Sequence, residues 1–167
     1  MALSHTERWI LSNQFRILQL LDKDEAEYYA KAKEAIDSGY ELEYACLSQY
    51  IDSDVTTVAE CLEVLDMLSM FQYLKWGYDD LPDKSGIEEW RVKFAGFDGN
   101  NEVKQMAYAK YVCNLDDSRF ATLESGDNFN SHCPVLDRYR AMLSEWNRSG
   151  NKYKLSKDDI IRIIEAV

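Results

Sequence analysis

The sequence predicts a mainly α protein: a single-domain, multi-helical bundle of about seven helices over residues 1–167, with at most a minor strand pair near residues 90–97. Three observations carry this reading. Only two prolines occur, Pro82 and Pro134. Apolar positions recur at three and four residues far more often than at two, and N-cap signatures stand ahead of several apolar runs. With 167 residues the chain can bury ~68–70% of its unfolded surface, enough for a core without a partner.

Ser4 and Glu7 form a capping box ahead of a first helix, whose residues Ile10, Leu11, Ile17, Leu18 and Leu21 share one broad face. Gln14 falls inside that face, where a buried amide would hold a loop or line a pocket. Asp22 and Glu25 have the same spacing before a second helix that Gly39 terminates, which makes a helical hairpin. A third helix is expected over 41–51. Ser53 or Asp54 then caps a long fourth helix carrying Val58, Leu62, Leu65, Leu68 and Phe71.

The run from Trp76 to Gly86 is the clearest loop, and Ser85 with Glu88 offers a cap for a short helix beyond it. Val92 to Phe97 contains Gly96 and alternates poorly, so a short strand and an irregular crossing both fit. A helix follows over 101–114, then a second connection from Asp116 to His132 containing Gly126. Pro134 suits the first position of a helix with the stripe Val135, Leu136, Tyr139, Met142, Leu143 and Trp146, which ends before Gly150. Ser156 and Asp159, with Leu155 stapled on Ile160, open a last helix.

Charge and composition exclude several function classes. Thirty acidic against nineteen basic residues give a formal charge of −11, which opposes nucleic acid and anionic membranes. Leu47, Ile51, Val58, Leu62 and Leu65 have the apolar spacing of a helix-turn-helix. Yet residues 34–74 hold nine carboxylates and no Lys or Arg, so a DNA reader there would repel its target. Two packed acidic helices are expected instead. No apolar run approaches the ~20 residues of a spanning helix, and no basic, apolar leader opens the chain, so a cytoplasmic location is expected. Cys46, Cys61, Cys113 and Cys133 lie far apart, and read as reduced, mostly buried thiols. With only His5 and His132 besides, no close-spaced ligand pair nucleates a metal site, and no cofactor is expected. Phosphate-loop, dinucleotide, zinc-protease and nucleophile-elbow motifs are absent. Asp98 to Glu102 begins like a calcium loop, but the sixth position is Val103 and the twelfth Ala109, which excludes it.

What remains is polar side chains around apolar ones. Arg91, Asp98, Asn100, Asn101 and Glu102 surround Phe94 and Phe97, a mixture suited to a ligand pocket or to a capped helix start. Asn130, Ser131 and His132 end an irregular connection ahead of the Pro134 helix, where backbone donors and an imidazole can face a shared cleft. The candidate contacts are Arg91, Asp98, Asn101, Glu102, Asn130 and His132, for an unknown small ligand or a protein partner. A homo-oligomer is compatible with the composition. The alternatives are a hydrolase-type enzyme using carboxylates with His132, and a DNA-linked regulator through a degenerate helix-turn-helix.

Leu11-Ser12-Asn13-Gln14, the string Arg91-Val92-Lys93-Phe94-Ala95-Gly96-Phe97-Asp98, residues 130–134, Tyr139, Met142-Leu143 and Trp146 together resemble the YfbU-like family of bacterial proteins. The likeness spans nearly the whole chain, and R-V-x-F-x-G-F-D is its most specific element. The resemblance implies a helical domain of unassigned function. Some relatives join it to a separate helix-turn-helix, which implies a ligand-sensing or regulatory role. It carries over no catalytic residue, and relatives differ at the position of His132.

Overall fold

The computed structural model describes residues 2–48, 51, 54–123 and 128–166. Ser53 and Gly126, expected as a cap and a loop residue, lie outside them. Eight α-helices occur among the described residues: α1 (His5–Leu21), α2 (Ala26–Ser38), α3 (Tyr44–Leu47), α4 (Val58–Asp80), α5 (Glu89–Val92), α6 (Val103–Cys113), α7 (Leu136–Arg148) and α8 (Lys157–Glu165). The mainly α class is thus observed, and in place of a strand pair a single parallel bridge joins Phe97 to Asn130. Contacts divide the chain into two compact units, Met1–Val55 and Thr56–Val167.

The first unit is the α1–α2 hairpin with a short tail. Ser4 and Glu7 close the expected capping box on α1. α2 starts at an N-cap of Glu25 without a side-chain cap; Asp22 instead accepts the Glu25 N–H at 3.3 Å within the turn. Gly39, at φ +76°, ends α2 in the left-handed conformation that glycine adopts without steric cost. Arg8 crosses from α1 to the same end, donating from Nε to the Ile36 carbonyl at 2.8 Å and from Nη2 to the Asp37 carbonyl at 2.8 Å. A cation on the open carbonyls of a helix C-terminus satisfies them and opposes the dipole. The expected third helix is only a 3-10 turn, Glu41–Glu43, followed by α3. Among the described residues of this unit the buried side chains are few, and two of the four are alanines: Ala32, Ala35, Ile36 and Tyr44. α1 buries none, and Gln14, expected to be enclosed, is exposed.

The second unit is organised around α4, whose Val64, Met67, Leu68, Met70, Phe71, Leu74 and Tyr78 are buried. Apolar groups around most of its circumference suit a helix that other helices surround. α5, α6, α7 and α8 all pack on it. α4 begins at Thr57, which forms the capping box with Glu60; the cap is therefore Thr57 and not Asp54. It runs on to Asp80, so the loop expected from Trp76 starts only at Leu81, and Tyr78 is core while Trp76 is exposed. α5 has Glu88 as its N-cap, since the Ser85 hydroxyl bonds Asp83 instead. α7 starts at Leu136, two residues past Pro134, and buries Tyr139, Met142 and Trp146. α8 carries the predicted Ser156–Asp159 box.

Of the residues with helix-turn-helix spacing, Ile51, Val58 and Leu62 are exposed, and α3, which carries Leu47, is a single turn. No helix among the described residues is long and apolar enough to cross a membrane.

The expectation of mostly buried thiols needs correction: Cys113 is buried in the core of the second unit, whereas Cys46 and Cys133 are exposed. Burial pushes the Cys113 thiol up to about 11, so it stays protonated and unreactive. In native protein, Ellman's reagent should label Cys46 and Cys133 at the rate of free thiols, and Cys113 only as fast as the protein unfolds. Equal rates at all three would contradict this packing.

Candidate functional site

Glu102 is the N-cap residue of α6, yet its side chain serves other backbone. It is 5% exposed, and its Oε1 accepts the N–H groups of Val135 at 2.8 Å and Leu136 at 2.7 Å. Its Oε2 accepts the Asp98 N–H at 2.9 Å. One carboxyl group therefore caps the start of α7 and closes the turn that begins α6, and negative charge at a helix N-terminus is favourable. The main chain of the turn adds two bonds: Glu102 N–H to the Asp98 carbonyl at 2.8 Å, and Met106 N–H to the Glu102 carbonyl at 2.9 Å.

Asn130 closes the same knot from the other segment. Its Oδ1 accepts from Gly99 N–H at 3.1 Å and His132 N–H at 2.9 Å. Beside it the Phe97 N–H donates to the Phe129 carbonyl at 2.9 Å, and the Ser131 N–H to the Phe97 carbonyl at 3.0 Å. Gly96 passes Phe129 so closely that a Cβ would lie 2.2 Å from the Phe129 carbonyl oxygen, and its φ of +91° is itself a glycine conformation. Phe129 and His132 hold positive φ without being glycine, a strained geometry that these bonds maintain.

The structure thus brings five of the six sequence candidates together. Asp98, Asn101, Glu102, Asn130 and His132 lie on the two segments that meet there. The Asp98 carboxyl is held below its ordinary value by the Asn101 amide, which bonds its Oδ2, and by the Asn100 N–H, which donates to Oδ1 at 3.1 Å. Arg91 goes elsewhere: its Nη2 donates to the Ile164 carbonyl at 2.7 Å, joining α5 to the end of α8. Phe94 and Phe97, read as apolar partners of the polar cluster, pack with Phe71 and Tyr139 in one aromatic group at centroid distances of 4.7–5.9 Å. Burial pushes the Tyr139 phenol well above its usual value, and its oxygen accepts the Ala95 N–H at 3.3 Å.

The 92–95 strip also lines a cavity of about 440 Å³, together with Lys75, Trp90, Thr122 and Leu123. Val92, Phe94 and Leu123 are buried and make its apolar floor, while Trp90 is exposed at 61%. Lys75 reaches Asp79, with 2.6 Å to Oδ1, and Lys93 reaches Glu89 at 2.8 Å; these are exposed pairs between residues four apart. The volume and lining fall in the range of small-molecule sites. Sequence reasoning reached Val92 and Phe94, but missed Lys75, Lys93, Thr122 and Leu123. Lys75 had a signal: it is the first base after the stretch 34–74, which has none.

Glu102→Gln tests the knot. The amide keeps the shape but offers an N–H₂ where one of the oxygens accepts, which leaves a buried donor facing a donor; the loss should be about 2–3 kcal/mol. Urea unfolding of the variant would measure it, and stability within about 0.5 kcal/mol of the parent would show that the carboxyl group does not hold the turn.

A family model described as the YfbU domain matches residues 1–166. The match runs through both units and includes the R-V-x-F-x-G-F-D string whose Gly96, Phe97 and Asp98 build the crossing just described. The chain belongs to the YfbU family.

Proposed function

We propose that this chain is a cytoplasmic ligand-binding module with a regulatory role, and that its ligand is a small amphipathic anion held in the cavity of the second unit. The observation that carries the reading is a recess whose lining combines buried apolar side chains, an exposed indole and two lysines. Val92, Phe94 and Leu123 favour an aromatic or aliphatic body, Trp90 a stacking partner, and Thr122 a hydrogen-bonding group. Lys75 and Lys93 are paired with carboxylates on exposed helix surface. Such pairs contribute little, so a ligand carboxylate, sulfonate or phosphate can replace Asp79 or Glu89 at small cost.

In this reading Asp98, Asn101, Glu102, Asn130 and His132 act as a frame. Their bonds fix the 94–98 crossing, and that crossing supplies one wall of the recess. Asn101 and His132 are exposed at the same crossing, where a macromolecular partner of a regulatory module would meet them.

8-Anilinonaphthalene-1-sulfonate has both the aromatic body and the anion. It should bind with saturable, one-to-one fluorescence enhancement. Trp90→Ala should weaken binding about tenfold or more, and Lys75→Glu with Lys93→Glu by a similar factor, while uncharged N-phenyl-1-naphthylamine is unaffected by the lysine changes. Binding of the sulfonate that survives both sets of substitutions lies elsewhere on the protein and would remove the cavity as its site.

A further inference from the structure

The first unit presents a helix that is packed on one side only. On α1, Arg8, Leu11, Ser12, Phe15 and Gln19 are half-buried in the hairpin with α2. Ile10, Gln14, Ile17 and Leu21 form a second stripe, spaced by four, three and four residues and turned roughly 140° around the axis from the first. Spacing of that kind is the seam by which one helix packs along another. Among the described residues of the unit the seam has no helix to meet: Ile10 and Ile17 are each 50% exposed and Leu21 77%, with Trp9 and Leu20 exposed beside them. An apolar face of this extent on a surface helix marks an interaction site.

We infer that the occupant is a second copy of this chain, with the two α1 helices antiparallel across a two-fold axis near Gln14. Two features select a copy of the chain itself. The first is charge. α1 carries one acid, Glu7, and two bases, Arg8 and Arg16, within a chain of net charge −11. Two such chains repel each other through their net charge, and α1, with one more base than acid, is a face on which that repulsion is absent. The second is Gln14, the single polar member of the seam, four residues after Ile10 and three before Ile17. An amide donates and accepts, so it is complementary to its own copy at a two-fold axis, where a charged or donor-only group would not be. One polar residue in an apolar seam also fixes register. A lipid surface fits less well, because the chain's negative charge opposes anionic headgroups and only Arg8 and Arg16 on this helix would answer them. Arg8 is already engaged with the carbonyls of Ile36 and Asp37.

Sedimentation velocity on the full chain at 100 µM should give twice the 19.4 kDa chain mass. Ile17→Glu should raise the dimer dissociation constant about 100-fold or more while leaving helical circular dichroism unchanged, since Ile17 contributes nothing to the buried core of its own unit. Leu42→Glu, a change at another exposed apolar side chain outside α1, should have no effect. Register is read separately: with Cys46→Ser and Cys133→Ser removing the exposed thiols, Gln14→Cys should form an intermolecular disulfide on mild oxidation, and Arg16→Cys should form far less. A monomer at 100 µM overturns the proposal, as does a dimer that Ile17→Glu leaves intact. So does a monomer that co-sediments with phosphatidylcholine vesicles through α1.

Discussion

A buried carboxyl group that accepts three backbone N–H groups holds the second unit's irregular part in place. Glu102 bonds the amides of Asp98, Val135 and Leu136, on two segments more than thirty residues apart. Each of those donors would otherwise be an orphan, two at the start of α7 and one at a turn with no ladder of its own. Unsatisfied buried donors are costly, and a carboxyl group taken out of water requires several of them. The two needs are met by the same atoms, so the site has no cheap alternative arrangement. From it follow the start points of α6 and α7, the bridge between Phe97 and Asn130, and the strain tolerated at Phe129 and His132.

The crossing serves both core and recess. Phe94 and Tyr139 pack on Phe71 of the central helix and Phe97 packs on both of them, while Phe94 with Val92 and Ala95 also lines the recess with Trp90 and the two lysines. The Ala95 N–H bonded to the Tyr139 oxygen and the close approach of Gly96 to Phe129 connect them. The polar residues of the R-V-x-F-x-G-F-D string thereby divide by role: Arg91 fastens α5 to the end of α8, and Asp98 orders its own turn.

Much of this was legible from the amino acids. Capping boxes at Ser4 and Ser156 were read correctly because the two side chains and the backbone they bond lie within one turn. The stripe on α7 was read because burial there follows a single face. Where several Ser, Thr and Asp residues precede an apolar run, local chemistry cannot choose among them, and α4 starts at Thr57. The third helix failed for a related reason: the 41–47 segment has acids and apolar residues at helical spacing, but little of its unit's core for them to pack on. Asp98, Glu102 and Asn130 were identified as belonging to one place, although nothing in the sequence says that Glu102 spends its oxygens on backbone. The recess was missed because its lining comes from three separate segments, around 75, 90–95 and 122–123, and its lysines look like ordinary surface pairs with Asp79 and Glu89.

One side chain, Glu102, makes three distant amides behave as a unit. Native-state hydrogen exchange, followed by nuclear magnetic resonance at the amides of Asp98, Val135 and Leu136, measures this directly. Slow exchange is expected at all three in the parent protein, with a joint acceleration by a common factor in Glu102→Ala and α8 amides such as Ile163 unchanged. Fast exchange at any of the three in the parent, or acceleration of Asp98 alone, would contradict it.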